Sequence, residues 1–485
     1  MSGTARAPQP PGAVNGAAAA VTLTYLGFTL QLLQTGIIPL LPAIGRQLHV
    51  TPAAASWLVT AGLLAGAVAL GVMTRLADLI GKRPVILIAL ALVLAGCVLG
   101  SLTDNFALLV TSRVLMGAQL PMLALPEAIA SDTMPPRRAR ITITAIHSGT
   151  GVGIAGGILL GALVGVHPTA WHWFFSIGAV TTLLGVAATV LFVRDSPQRA
   201  GGGLDLIGAV LLALALVGVL LGLSEGPTWG WASVPVIGLL AGGLALFGVW
   251  AAQQRRARYP LISLAHLVKP NVRTPYLLTF LVAFGVYGSL SAVTRFAQTS
   301  PKAAGYGWGF GAAAVALFAI PQALGAVAAT PAVQALTRRH SMAFTTGAGM
   351  LSCTLAFVGF AVLHDSPTLT MTAQGLFAMG AGIALAGTQL MVLGVVPASE
   401  SGIALGLAVV MYAVGNSLGS DAVGVLFSSL TVHPGLPALG SYVWAFWICG
   451  AAAALGVLLC VPRAGTAKRP ATGAMTISAD PSEKA

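Results

Sequence analysis

Apolar runs of about twenty residues follow one another along almost the whole chain, and they limit the possible folds more than any other feature. Such a run crosses a hydrocarbon core about 30 Å thick as an α-helix, which pairs its backbone groups internally. The runs are too long and too continuously apolar for the alternating strands of a membrane β-barrel. Only 7% of the 485 residues are charged, too few to cover a soluble domain. The sequence therefore predicts an all-α integral membrane protein.

Fourteen spans can be delimited, and they divide as six, two and six. They are predicted at 19–44, 54–75, 85–103, 106–130, 141–166, 171–193, 205–224, 233–252, 274–296, 308–334, 342–363, 368–394, 402–427 and 439–461. We expect an N-terminal six-helix bundle at 19–193, two additional central helices at 205–252 and a C-terminal six-helix bundle at 274–461. Residues 1–18 and 464–485 are expected to be disordered tails, because they contain too few apolar residues to pack.

Most of the 24 basic residues lie on one side of the membrane in this arrangement. They form the clusters Arg75/Lys82/Arg83, Arg137/Arg138/Arg140, Arg194/Arg199, Arg255/Arg256/Arg258/Lys269/Arg273, Arg338/Arg339 and Arg463/Lys468/Arg469/Lys484. Cytoplasmic loops have an excess of Lys and Arg, so both termini are predicted to be cytoplasmic. The net charge of +12 follows from this topology and requires no nucleic-acid partner.

Five segments, in order along the chain, resemble those of one transporter family. They are Gly71–Pro84 after the second span, Leu109–Gly117 in the fourth, Trp171–Trp173 at the start of the sixth, Asp205–Trp231 in and after the seventh, and Arg258–Pro260 before the ninth. Over roughly 20–461 the chain is thereby similar to the major facilitator superfamily, specifically its fourteen-helix drug:proton antiporter branch. The resemblance implies two six-helix bundles that rock about a central site.

The first of these segments resembles a cytoplasmic gate that stabilises the outward-open state. Its residues are Gly71, Arg75, Asp78, Gly81, Lys82 and Arg83. Opposite charges beside a helix terminus can hold one conformation, although Lys82 and Arg83 are also explained as ordinary anchors on a basic side.

In the fourth span, the resemblance implies that Arg113, with Gly117, takes part in proton coupling. A charge at bilayer depth is costly and must face the bundle interior or water. The alternative is therefore that Arg113 is a buried structural donor to backbone carbonyls.

The fifth span contains a glycine at every fourth position: Gly149, Gly153, Gly157 and Gly161, with Gly156 beside them. This spacing leaves one helix face without side chains, so we expect a neighbouring helix to pack closely there. The segment also resembles the antiporter motif of this branch. The proline of that motif is replaced by Gly153, which weakens the case for antiport.

The branch commonly has an acidic residue in its first helix, but the first span contains none. Proton carriers must then be sought among other embedded titratable groups, and the candidates, in order, are Asp421, Glu127 and His147. Glu127 has a simpler explanation as an ion-pair partner of Arg137 or Arg138. His147 is also explained as a packing residue of an apolar helix.

Uncharged polar and aromatic side chains inside the spans are candidates for the lining of a central substrate cavity. They are Gln31, Gln34, Gln119, Tyr287, Gln322, Gln389, Tyr412 and Asn416. Such groups in an apolar cavity suit neutral or weakly charged amphiphiles. The amides are equally able to form hydrogen bonds across helices without any ligand.

Together these features favour a monomeric, proton-driven exporter of small lipophilic compounds, such as drugs, dyes or a secondary metabolite. No segment resembles a nucleotide-binding loop, and four cysteines inside apolar runs indicate neither disulfides nor zinc, so the proton is the only coupling ion or cofactor expected. The Ala/Gly/Arg-rich, Lys-poor composition is typical of a high-GC bacterium and predicts the inner membrane. The alternatives are a narrow-specificity or proton-independent facilitator or importer and, least favoured, a membrane enzyme or sensor.

Overall fold

The described part of the chain is almost entirely helical. The computed structural model describes residues 13–50, 52–165, 171–196, 203, 205–257, 270–311, 314–315, 317–396, 401–433 and 436–461. Helices α1 to α8 are Ala13–Thr35, Leu41–Gln47, Pro52–Ile80, Lys82–Leu102, Phe106–Met116, Leu125–Thr133, Pro136–Val164 and Trp171–Phe192. Helices α9 to α17 are Leu206–Trp229, Val234–Arg256, Pro270–Gln298, Pro301–Ala304, Ala319–Arg339, Met342–Val362, Pro367–Leu393, Ser401–Ser429 and Leu439–Cys460.

The N-terminal tail expected at 1–18 is shorter than the sequence suggests, because α1 already begins at Ala13. Alanine has the highest helix propensity, and Ala17 to Ala20 extend the first membrane helix backwards. The rest of that tail and residues 464–485 lie outside the described residues.

Twelve helices of the described part are long and apolar enough to cross a membrane. Two further apolar stretches, Ile207–Val219 within α9 and Arg273–Val286 within α11, are shorter. Large apolar side chains on the outer helix faces, such as Leu183, Leu244 and Leu458, are more than half exposed. Such a surface needs lipid rather than water around it, so the chain is a multi-pass helical membrane protein.

The helices form two sets that repeat one packing pattern. In the first set α1 packs against α7, α3 against α5, and α4 against α8. In the second set α11 packs against α16, α13 against α15, and α14 against α17. In each set these are the first and fifth, second and fourth, and third and sixth long helices in chain order. The two halves therefore share an arrangement, as internal repeats of a transporter do.

The fourth span, predicted as continuous over 106–130, is broken. It consists of α5, a 3-10 segment at Gly117–Leu123, and α6. Pro121 and Pro126 each lack the N–H that a continuing α-helix would donate, so the helical hydrogen bonds change register between α5 and α6. This break turns the side chains of α6 relative to those of α5.

The tenth span, predicted over 308–334, begins only at Ala319 and ends at Arg339. Gly305, Gly307 and Gly309 precede it with positive φ angles, a backbone region that ends helical geometry and that glycine adopts without strain. The resulting loop is held by Tyr306, whose hydroxyl donates to the carbonyl of Pro437 in a small antiparallel hairpin of β1 (Thr431–His433) and β2 (Leu436–Pro437).

The two sets meet directly, with the central pair α9 and α10 beside the seam. Helix α7 of the first set packs against α13 and α15 of the second, while α3 and α6 contact α16. Helices α9 and α10 pack against each other, and α9 also contacts both α3 and α16. The seam therefore places α3, α6 and α7 opposite α13, α15 and α16, and the candidate functional residues lie along these helices.

Candidate functional site

A small polar cavity lies at the seam between the two sets of helices. It is about 20 Å³ in volume and is lined by Gln31 and His147 from the first set and by Gln389 and Tyr412 from the second, with Thr150 beside His147. A volume of this size holds about one water molecule. The structure thus brings together four of the side chains that sequence reasoning selected, in a conformation too closed for a larger ligand.

The amide oxygens of this cavity lack partners. Oε1 of Gln31 and Oε1 of Gln389 are both buried and accept no hydrogen bond among the described residues. A buried polar atom without a partner costs about 1–3 kcal/mol, so both oxygens favour a ligand or a water with donor groups. Thr150 was missed by sequence reasoning, although its position one turn after His147 on the same helix could have revealed it.

Glu127 and His147 form a buried pair at the edge of this cavity. Nε2 of His147 lies 2.8 Å from Oε1 of Glu127, and the two side chains are 7% and 1% exposed. The proposed pairing of Glu127 with Arg137 or Arg138 is therefore wrong. The break before α6 turns Glu127 towards α7, where His147 lies almost three turns beyond these arginines.

A carboxylate buried in a membrane protein without a cation is very costly. The Glu127–His147 pair avoids this cost only if it retains a proton, either on the carboxyl group or on the imidazole. The pair is thus a place where one proton can be held next to a cavity that both helix sets line.

The remaining cavity candidates lie elsewhere. Gln119 donates from Nε2 to Oε1 of Gln34 at 2.9 Å, a bond within the first set. Gln322 accepts from Nε2 of Gln374 at 3.3 Å and lines a separate small cavity with Ile158. Asn416 is half-buried one turn after Tyr412 on α16. The side chains of Tyr287 and Asp421, on α11 and α16, lie outside the described part of the structure.

Arg113 is fully buried, and the oxygen atoms that accept its hydrogen bonds are backbone carbonyls. Nε donates to Leu58 at 2.8 Å and Nη1 donates to Leu33 at 3.3 Å. Leu33 lies in the last turn of α1, where carbonyls have no donor within the helix. Arg113 therefore ties α5 to α1 and α3, which is the structural alternative that the sequence left open.

Gly117 is the point at which this tie meets α3. A Cβ atom at 117 would lie 2.7 Å from the carbonyl oxygen of Gly62 and 2.7 Å from the Cβ of Ala65. Contacts that short do not occur, so only glycine allows the 3-10 segment to pack on α3 at this distance.

The glycines of α7 form the contact surface with α1 and with Gly36, the residue directly after it. A Cβ at Gly149, Gly153, Gly157 or Gly161 would lie within 2.7 Å of an atom of this segment in every case. Gly156 is different, since a Cβ there would have its nearest neighbour at 3.4 Å, in Leu32. The four-residue spacing thus serves helix packing inside the first set, as expected from the bare helix face.

Charged residues bind together the ends of α4, α6 and α8. Nζ of Lys82 lies 2.5 Å from Oδ2 of Asp132 and 3.8 Å from Oδ1 of Asp78, and all three side chains are buried. The N–H of Arg83 donates to Oδ1 of Asp195 at 3.0 Å. Asp132 and Asp195 were missed by sequence reasoning, although a buried lysine at a helix start requires a carboxylate partner. These bonds lie inside the first set.

At this same end, the two sets touch where the remaining gate residues lie. Thr74 precedes Arg75, and a Cβ at Gly406 of α16 would lie 3.1 Å from its Cγ2. Nη2 of Arg75 donates to the carbonyl of Gly203 at 3.0 Å. Gly71 lies one turn earlier on α3, and Gly81 has a φ of 118°, which separates α3 from α4.

Comparisons with known proteins agree with this architecture. The family model of the Major Facilitator Superfamily matches residues 18–420. The tetracenomycin C resistance and export protein of Streptomyces glaucescens is 27% identical over 397 residues, which are 80% of this chain and 71% of that protein. Multidrug resistance protein Stp of Mycobacterium tuberculosis is 28% identical over 424 residues, 85% of this chain and 77% of that protein.

An uncharacterized MFS-type transporter of Mycobacterium tuberculosis is 28% identical over 402 residues, and the match covers only 57% of its length. Among solved structures, the human organic anion transporter MFSD10 matches with a TM-score of 0.62 and 16% identity, over 93% of this chain and 100% of that one. At that identity the likeness concerns the fold. Because the family model covers most of the chain and the helices pack in two like sets, this protein belongs to the Major Facilitator Superfamily of membrane transporters.

Proposed function

We propose that this protein exports small lipophilic compounds from the cell in exchange for protons. Relatives that match most of the chain are named for the export of an antibiotic and for multidrug resistance. The amide and phenol groups of Gln31, Gln389 and Tyr412 can bind the few polar groups of such compounds, while apolar neighbours such as Leu385 contact the rest.

The observation that supports proton coupling most directly is the contact of Glu127 with His147 beside this cavity. When the cavity opens to one side, the pair can take up a proton, and when it opens to the other, the proton can leave. A second proton would give the pair a net positive charge. A lipophilic substrate in contact with His147 disfavours this charge, so substrate and second proton compete for the site. Binding of substrate and release of the proton are thereby linked, which is the requirement for exchange.

The energy of this exchange is sufficient for useful efflux. A proton that enters through a membrane potential of 100 mV yields about 2.3 kcal/mol. Since about 1.4 kcal/mol corresponds to a tenfold ratio, exchange of one proton for one neutral molecule supports a gradient of roughly 40-fold.

We further propose fourteen membrane crossings. Helices α9 and α11, with 24 and 29 residues, exceed the roughly 20 residues that a crossing needs. The chain would then consist of six-helix bundles at 19–193 and 274–461 and a central pair at 205–252. The basic start of α4 and the basic ends of α10 and α13 would face the cytoplasm of a bacterial inner membrane, as would both termini.

In this arrangement the segment from Gly71 to Arg83 is a gate on the cytoplasmic side, supported by its contact with Gly406 of α16. Bonds of Lys82 and Arg83 to Asp132 and Asp195 would make the first set a rigid wall against which α16 closes. We propose that a single chain performs the cycle, with the proton as its only coupling ion.

The test is transport into inverted membrane vesicles. Accumulation of a panel of lipophilic dyes and antibiotics is measured with and without a protonophore, for the unmodified protein and for Glu127→Gln. We expect the unmodified protein to accumulate substrate only with a proton gradient. Glu127→Gln should lose this accumulation but retain exchange of labelled for unlabelled substrate, since exchange needs no net proton movement.

Asp104→Asn is the matched control, because Asp104 also lies close to a histidine, His172 at 3.1 Å, but is exposed and does not line the cavity. It should transport normally. Gradient-dependent accumulation by Glu127→Gln would refute the role of this pair. Accumulation by the unmodified protein that is indifferent to the protonophore would refute antiport altogether.

Two sequence features favour a second candidate, a proton-independent facilitator of the same compounds. Helix α1 contains no carboxylate, and Gly153 replaces the proline that the antiporter motif has in α7. The same vesicle experiment separates the two functions, because a facilitator equilibrates its substrate without accumulating it.

A further inference from the structure

A second cavity, much larger than the central one, lies between the central pair and the seam. Its volume is about 360 Å³, within the range of small-molecule sites, and it is lined by α3, α9, α10 and α16. Most of its wall is apolar, with Leu212, Leu216 and Leu244 among the lining residues. The cavity lies beside the proposed gate, since Thr74, Arg75 and Gly406 also line it.

Two buried donors line this cavity and lack acceptors. Nε of Arg75 and Nε1 of Trp250 each donate no hydrogen bond to any described residue, although their side chains are only 5% and 7% exposed. Each unmade bond costs about 1–3 kcal/mol, and more for a charged group. Both groups are donors and one is a cation, so the ligand that satisfies them is an anion with acceptor oxygens.

Two carboxylates lie near this site in the sequence, and both are engaged elsewhere. Asp78, three residues after Arg75, lies 3.8 Å from Nζ of Lys82. Asp205 accepts from the backbone N–H of Gly208 and from the side-chain amides of Gln253 and Gln254. Arg75 instead gives its Nη2 to the carbonyl of Gly203, a neutral group. Among the described residues, no carboxylate forms an ion pair with Arg75.

The shape of the cavity indicates which kind of chemical group the anion carries. Thr74, beside Arg75, contacts Gly406, and the lining continues along α16 to Val414, eight residues further. At a rise of 1.5 Å per residue this is about 12 Å of apolar channel leading away from the donors. One polar end and a long apolar body are the features of a site for an anionic amphiphile.

We propose that this cavity binds an anionic phospholipid of the surrounding bilayer. Its phosphate accepts from Nε of Arg75 and Nε1 of Trp250, and one acyl chain lies between Leu212, Leu216 and Val414. Basic pockets between membrane helices bind anionic headgroups in this way, and Arg255 and Arg256 in the last turn of α10 add positive potential at the same end as Trp250. The lipid thereby joins the central pair to both helix sets.

The test is native mass spectrometry of the full-length protein in mild detergent, with phosphatidylglycerol and phosphatidylcholine supplied at equal concentration. We expect one phosphatidylglycerol per chain, bound several-fold more than phosphatidylcholine. Leu216→Trp places a larger side chain inside the cavity and should strongly reduce this binding. Trp250→Phe removes one donor to a charged group and keeps an aromatic ring, so its affinity should fall about tenfold.

Each variant has a matched control. Leu214→Trp introduces the same side chain two residues away on the outer face of α9, where Leu214 is 51% exposed. Trp173→Phe makes the same substitution as Trp250→Phe at an exposed position of α8. Both controls should bind phosphatidylglycerol normally, and a normal elution profile of every variant excludes misfolding as the cause.

Equal binding of the two lipids would overturn the anionic assignment. Equal binding by Leu216→Trp and Leu214→Trp would overturn the location. Occupancy of the cavity by a transported dye, with no phospholipid bound, would make it part of the substrate path and overturn the lipid assignment. None of these outcomes depends on the proton coupling of transport.

Discussion

Gly153→Ala should destabilise the protein more than Gly156→Ala, although the two glycines lie on one helix, α7. A Cβ at 153 would lie 2.4 Å from the carbonyl oxygen of Phe28 and 3.0 Å from the Cβ of Gln31. A Cβ at 156 would meet only the ends of two side chains, Leu32 at 3.4 Å and the ring of Phe28 at 3.6 Å. The Cβ at 153 is therefore blocked by backbone, whereas the Cβ at 156 makes an ordinary contact.

The magnitude comes from the comparison of the two variants. Each gains about 1 kcal/mol of helix propensity, a gain that cancels between them. At 153 the Phe28 carbonyl cannot rotate away, so α1 and α7 must separate by most of an ångström. A gap of 0.5–1 Å loses about a quarter to a half of the energy of each dispersion contact. Overpacking of this kind costs about 1–3 kcal/mol, which is the expected difference in the free energy of unfolding.

The assay is thermal unfolding in detergent, followed with a fluorophore that reacts with thiols. All four cysteines are free and buried, so they react only as the protein opens. A difference of 1 kcal/mol corresponds to about 2–4 °C for a unit of 150–250 residues, close to the size of one six-helix set. Equal melting temperatures for Gly153→Ala and Gly156→Ala would refute the close packing of α1 on α7.

Two further substitutions separate movement from stability. Gly151→Ala would place a Cβ 2.5 Å from the Cβ of Ala326 on α13, across the seam. We therefore expect slower transport in vesicles, with a melting temperature like that of Gly156→Ala. Unchanged transport would contradict such close packing at the seam. Lys82→Met should lower the free energy of unfolding by about 3–5 kcal/mol because it leaves Asp132 without its lysine. Combining Lys82→Met with Asp132→Asn should recover part of that loss. Additive losses in the double variant would contradict an ion pair between the two residues.

The sequence was informative wherever one local rule decides the structure. Apolar length predicts the helices, and the four-residue spacing of Gly149 to Gly161 predicts a close helix contact, since both depend only on helix geometry. The structural role of Arg113 could be anticipated as an alternative, because insertion cost requires a buried guanidinium to find acceptors and a single span supplies few. In these cases the partner need not be known in advance.

The sequence was less informative where a partner comes from a different helix. The neighbour of Glu127 depends on the break between α5 and α6, and a span treated as continuous points this side chain in another direction. Gln322 and Gln389 are chemically identical, and only the packing of α13 and α15 decides which of them lines the same cavity as His147. The distances between helices, rather than the residue types, decide which of the predicted residues line the central cavity.

The two faces of helix α7 make different contacts: one packs on α1 within the first set, and the other meets the second set. Successive residues turn by about 100°, so the glycines centred on Gly153 lie on one face and Ser148, Gly151 and Ile158 on the opposite one. The glycine face is locked to α1, while the opposite face meets the second set, where Ser148 and Thr330 share a hydrogen bond of 2.8 Å. His147 lies between these faces, towards the seam. A helix fixed on one side and separable on the other can expose His147 to the two sides of the membrane in turn without unpacking its own bundle. The exchange that we propose for the Glu127–His147 pair requires this movement.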